Sequence, residues 1–275
     1  MLAQEPHLGA RVRLLFQPAE ELAQGAVWMR DAGAVEGLDA LYGVHVVPNL
    51  PVGTVGIRRG CLTAAAGELE ILVQGEGGHG ARPHQSVDAV WLAARVITEL
   101  QQTIARRLDA LQPVVISFGK VEGGRAFNVI ADQVRLLGTV RCLDLQQHAQ
   151  LPAWIDETVQ GICASGGGTA LVNYRCIAPP VHNDPQLTTL LERCAVECLG
   201  RDKVLPVEQP SLGAEDFAEL LRDVPGMMVR LGVAGPEGCA PLHNGAFALE
   251  EDALGVGIAV LTATVLAWIT ENTSA

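Results

Sequence analysis

Apolar and polar positions change rhythm three times along the chain. From Arg11 to about Thr63, two short apolar runs read as strands: RVRLLFQ, alternating on Val12, Leu14 and Phe16, and ALYGVHVV. Between them the pattern predicts a helix from about Glu21 to Asp31, stopped by Gly33. Strand, helix, strand in that order predicts a parallel α/β unit. The second block opens on ELEILVQ, a strand with Leu69, Ile71 and Val73 on one face. A long amphipathic helix, SVDAVWLAARVITELQQTIARRLDA, follows behind a Ser86 cap. The strands VVISFGKV and QVRLLGTVRCLD, a helix from about Gln146 to Ala164 and the strand ALVNYRC complete it. That β-α-β-β-α-β order predicts a ferredoxin-like module. The third block, from about Pro179, returns to α/β with a helix over Gln186–Leu199, a short helix at EDFAELL, the strand MMVRLGVA and an apolar final helix. The expected architecture is therefore one discontinuous α/β domain, 1–63 with 179–275, interrupted by an inserted domain, 64–178.

Composition narrows the partners. At 275 residues, 49% hydrophobic and 18% charged, the chain is globular and large enough for two domains. Its 19 basic against 31 acidic side chains give a net charge of −12, which argues against nucleic acid and anionic membrane as partners. Seven cysteines without a CxxC pair fit a reducing, cytoplasmic compartment; Cys194 and Cys198, one helical turn apart, read as reduced helix residues. The run Ala253–Ile269 approaches a membrane span in length, but its glycines, threonines and acidic flanks fit a helix buried against a sheet. No charged start with an apolar core marks a signal peptide at the N-terminus.

Candidate chemistry gathers at element ends. Glu20 and Glu21, after Pro18, read either as acids at a helix start, where the dipole favours them, or as part of a site. His45 lies on an otherwise apolar strand and His243 in the loop APLHNGAF; each alone fits a core or surface histidine. All four lie in one α/β domain, whose strand ends are where ligands bind. Two imidazoles with a carboxylate make a zinc-type set, and a second carboxylate can activate water. GEGGHG (Gly75–Gly80) formally matches a dinucleotide loop, but ARPHQ separates it from the helix and Glu99 falls mid-helix, so the glycines instead present His79 on a tight loop. His84, beside Pro83, reads as a turn residue. Arg141, at a strand end, and Asn128 read as a surface ion pair and a turn cap, or as a carboxylate clamp.

The motifs QPAEE, GVHV, GEGGHGARPH, GGRAFNVIADQVRLLGTVR, GAEDF and HNGAF, in this order, resemble the aminoacylase and hippurate-hydrolase branch of the dinuclear metallopeptidases, which includes indole-acetyl-amino-acid amidohydrolases. The resemblance implies hydrolysis of the amide bond of N-acyl or N-aroyl amino acids. It implies two divalent metal ions per subunit in the complete architecture, Zn or Mn, with Co or Ni also compatible with such ligands. Glu20 would be the general base; Glu21, His45 and His243 metal ligands. The inserted module would be a lid that makes a homodimer, with His79 reaching across it to polarise the scissile carbonyl. Asn128 and Arg141 would hold the substrate carboxylate, and Glu215 of GAEDF would line the site or cap a helix.

One departure qualifies this. The family's HxCGHD-type segment, which supplies further ligands ahead of QPAEE, does not occur in the chain, and His7 does not match it. The expectation is an N-terminally truncated metallopeptidase domain with a weak metal site and impaired amidase activity. A non-catalytic dimerising remnant and a dipeptidase or carboxypeptidase are the alternatives.

Overall fold

A computed structural model describes residues 8–109 and 111–273. His7 and the first residues of the chain lie outside the described residues. The elements run α1 (Gly25–Asp31), β1 (Leu41–Pro51), β2 (Val55–Ile57), β3 (Gly60–Cys61), β4 (Ala65–Gln74), β5 (Gly78–His79) and α2 (Ala89–Arg107). They continue with β6 (Val114–Gly123), β7 (Val129–Ile130), β8 (Gln133–Cys142), α3 (Leu145–Ser165), β9 (Thr169–Ala178) and β10 (His182–Asn183). The chain then forms α4 (Pro185–Leu199), β11 (Val204–Pro206), α5 (Phe217–Leu220), β12 (Gly226–Ala234) and α6 (Asp252–Thr273). Two compact units result. The first joins the described residues up to Leu62 with Val181–Ser211 and the chain from Asp216; the second holds Thr63–Pro180, with which Leu212–Glu215 are grouped.

The first unit is a mixed sheet in the order β1-β12-β2-β11, with β1 parallel to β12 and β2 parallel to β11 but antiparallel to β12. Val55, Met227, Val229 and Leu231 form one core with Leu187, Leu191 and Ala195 of α4 and Ala253 and Val260 of α6. The apolar final helix has the length and composition to cross a membrane, yet packs Ala253, Val256, Val260, Leu261 and Trp268 on this core, as its flanks predict. A second core lies around Ala26, Val35, Leu41, Phe217 and Met228.

The predicted first strand is different in the structure. RVRLLFQ joins no ladder among the described residues, and Leu14 and Phe16 are 72% and 85% exposed. The segment presents the opposite phase: Leu15 packs on the core, Arg13 Nη1 donates to Ala34 O at 2.5 Å, and Gln17 reaches Asp216. Alternation specifies a face only where neighbouring strands fix the register, and a one-residue shift exchanges the faces.

The second unit is the ferredoxin-like module. Its sheet, in the order β6-β8-β4-β9, is antiparallel throughout. Leu69, Ile71 and Val73 of β4 point to one face and are fully buried under Leu92, Val96 and Leu100 of α2 and Leu151, Ile155 and Val159 of α3. Burying each such side chain stabilises by roughly 1.5–3 kcal/mol. Helix α2 starts three residues later than Ser86: Asp88 is its cap, accepting the N–H groups of Val90 and Trp91 at 2.9 and 3.2 Å, while Ser86 Oγ donates to Pro83 O. Pro83 draws Ser86 into a preceding 3-10 turn, which leaves the helix N-terminus to the next side-chain acceptor.

Candidate active site

Glu20 and Glu21 stand on a 3-10 turn, Glu20–Leu22, followed by α1. Left-handed alanines bound the turn: Ala19 at φ 50 and Ala23 at φ 51. Among the described residues, His243 at φ 62 is the other non-glycine with this backbone. Such a conformation costs an L residue roughly 1–2 kcal/mol, and its concentration at two facing segments marks a place where packing enforces strain. The turn closes so tightly that a Cβ on Gly25 would lie 1.5 Å from the carbonyl oxygen of Pro18, so only glycine fits there.

Successive residues of a 3-10 turn point about 120° apart, and the two glutamates diverge. Glu21 faces the loop that carries His243, whose Nδ1 stands 2.7 Å from Glu21 Oε1; both side chains are exposed. Glu20 faces β1. There a ligand atom of Glu20, one of His45 and one of Glu215 lie within 4.8 Å of one another. His45 Nδ1–H donates to Val46 O at 2.6 Å, which leaves Nε2 as the lone-pair nitrogen, the tautomer that metal-binding histidines use. Donors around a cation with bonds of about 2.1 Å are roughly 3.4 Å apart in a tetrahedral site, so after a small contraction the trio could hold a cation outright, or hold it through His45 and Glu215 with Glu20 beside its water. Its donor set, two carboxylates and an imidazole, suits Zn, Mn, Co or Ni.

The structure thus sets the expected ligands in two groups, and the expected base, Glu20, stands in one of them. Glu21 joins His243, and His45 joins Glu20 with the buried Glu215. Asp216, one peptide bond beyond Glu215, is 1% exposed. Burial pushes its carboxyl group up, against the N–H of Ala26 and the Gln17 amide, which hold it down. Nothing in the periodicity flags Asp216 or Gln17; the readable signal is the lack of a capping side chain at Gln24, before α1.

In the second unit, His79 and Asn128 share one ribbon. His79 pairs across β5/β7 with Val129, and Gly80 N–H donates to Asn128 O at 2.8 Å. His79 Nδ1 accepts from Ala81 N–H at 3.1 Å, so in the neutral ring the exposed imidazole carries its proton on Nε2. Arg141 lies at the opposite end of β8, donating to Thr139 Oγ1 and Val140 O. Eight residues of strand separate it from Gln133, about 27 Å, and the His79–Asn128 ribbon extends beyond Gln133.

Known proteins match the sequence and fold along nearly the whole chain. The profile of Peptidase family M20/M25/M40 matches residues 1–267. A Synechocystis protein described as "Probable hydrolase sll0100" is 51% identical over 98% of the chain and 68% of its own length. N-acetylcysteine deacetylase of Bacillus subtilis is 36% identical over 90% of the chain and 64% of its own. The solved structure of the Bacillus subtilis YXEP protein, described as a dinuclear metal-binding peptidase of the M20 family, superposes with a TM-score of 0.75 at 31% identity, covering 94% of this chain and 64% of that one. The chain spans about two thirds of the length of these proteins. With that span of matching sequence, and with the α/β fold and carboxylate–histidine cluster of a metallo-hydrolase, the chain belongs to Peptidase family M20/M25/M40.

Proposed function

We propose that the chain carries the catalytic glutamate, part of the metal site and the substrate-holding module of a hydrolase that cleaves the amide bond of N-acyl amino acids. The observation that carries this reading is the Glu20–Glu21 turn, which aims one carboxylate at His45 and Glu215 and the next at His243. Glu21, His45 and His243 would hold divalent metal, Zn or Mn, with Glu215 beside them. Such ions acidify water and stabilise negative charge on oxygen.

This chain's own groups do the rest. Glu20 takes a proton from water as the oxygen adds to the acyl carbon. His79 Nε2–H donates to the carbonyl oxygen as charge builds there. Glu20 then returns its proton to the amide nitrogen, and the C–N bond breaks to give a carboxylic acid and an amino acid. Arg141 and Asn128 hold the carboxylate of the amino-acid half. Because Arg141 and the His79–Asn128 ribbon lie at opposite ends of β8, one substrate meets both only if two copies contribute, which supports a homodimer formed through the module. Seven cysteines without a CxxC pair, the usage of a reducing compartment, support a cytoplasmic location.

The test is turnover of a panel of N-acyl amino acids with Mn and Zn. Glu20→Gln should lower kcat by about 10²–10⁴-fold; unchanged turnover contradicts the base assignment. Mixing inactive His79→Ala and Arg141→Ala proteins should restore about a quarter of wild-type activity, since half the dimers are mixed and each has one intact site. No recovery contradicts the shared site.

A further inference from the structure

We propose that Asp216 is a positioning residue that fixes the Glu20 turn against the strand carrying His45. The proposal rests on the reading of Glu20 and His45 given above and names what sets their separation. Both oxygens of the buried carboxylate are used. Oδ1 accepts Gln17 Nε2–H at 2.5 Å, on the chain entering the turn. Oδ2 accepts the N–H of Ala26 at 3.0 Å, on the chain leaving it. Ala26 is in the first turn of α1, where backbone N–H groups lack helical partners and Gln24 supplies no side-chain cap. Asp216 therefore caps α1 from 190 residues away in sequence.

The other end of the clamp is fixed by Phe217. Its ring lies on β1 at Gly43, where a Cβ would approach Cε2 and Cζ to 2.8 Å. Residues two apart on a strand share a face, so Gly43 and His45 do. Aspartate and phenylalanine together thus join the turn bearing Glu20 to the strand bearing His45, across a stretch where Ala19 and Ala23 hold strained backbone. Three residues further on, Glu219 pairs with Arg30 and continues the grip along α1. Without the carboxylate the two hydrogen bonds that join Gln17 to Ala26 are lost, and the left-handed alanines have a reason to relax.

The experiment compares wild type, Asp216→Ala, Asp216→Asn and Gln17→Ala by hydrogen exchange, by the His45 ring proton resonance and by Mn²⁺ titration. In Asp216→Ala, exchange at the Ala26 amide should rise at least about tenfold, and the His45 ring resonance should move. Mn²⁺ affinity should fall by about tenfold or more, as for the loss of a group that orients ligands. Asparagine should restore all three, because its Oδ1 accepts Ala26 N–H and its amide bonds a flipped Gln17. Gln17→Ala should shift them in the same direction by less, and it decides the matter if the alanine variant does not fold. Unchanged exchange overturns the proposal; so does faster exchange with the His45 resonance and Mn²⁺ affinity unmoved, which would be a structural role alone. If wild type binds no Mn²⁺, the metal reading falls, while exchange and the ring resonance still judge Asp216.

Discussion

The turn from Gln17 to Ala26 and the module from Thr63 to Pro180 obey different rules. In the module every level agrees: β4 alternates with Leu69, Ile71 and Val73 inward, α2 is amphipathic, Asp88 caps it, and the strands pair in the order their connections require. In the turn the levels conflict. Ten residues hold two left-handed alanines, a glycine against a carbonyl, and two carboxylates on adjacent positions. Sequences are consistent across levels where only folding is at stake, and depart from consistency where chemistry is. The difference between the two regions is thus itself a pointer to the site.

That contrast can be strained from both sides. The largest effect on stability belongs to the module: Leu92→Ala should lower its unfolding free energy by about 2–5 kcal/mol, read by urea unfolding. Hydrogen exchange in the Glu20 turn should meanwhile stay as in wild type; loss of protection there would show that the regions are not independent. A smaller effect of opposite sign belongs to the turn. Ala19→Gly should relieve left-handed strain and raise stability by up to about 1 kcal/mol. A loss of stability would mean that φ 50 at Ala19 is not the native backbone.

What was legible follows the same line. The six-element order of the module, α4, β12 and the buried role of the final helix were readable because burial repeats at the period of each element. RVRLLFQ was not, since a period of two does not say which phase is inside, and Leu15 rather than Leu14 meets the core. Ser86 looked like a cap because the side chain is right; Pro83 takes it into another turn. For the site, the pattern put Glu20, Glu21, His45 and His243 in one domain but did not show that Glu21 meets His243 while Glu20 meets His45. The two adjacent glutamates part company because a 3-10 turn, rather than the first turn of a longer helix, carries them. The clamp of Asp216 on Gln17 and Ala26 was illegible, because such long-range side-chain bonds leave no periodic trace.

The central claim, that this turn assembles a metal-binding cluster with β1, is tested most directly by titrating Mn²⁺ into the wild-type chain and into His45→Ala by calorimetry. The account predicts saturable binding by wild type and an affinity at least about tenfold lower in the variant, as loss of a ligand should exceed the 10–100-fold typical of its supporting partners. Equal affinity of the two proteins, or no saturable binding by wild type, would contradict it.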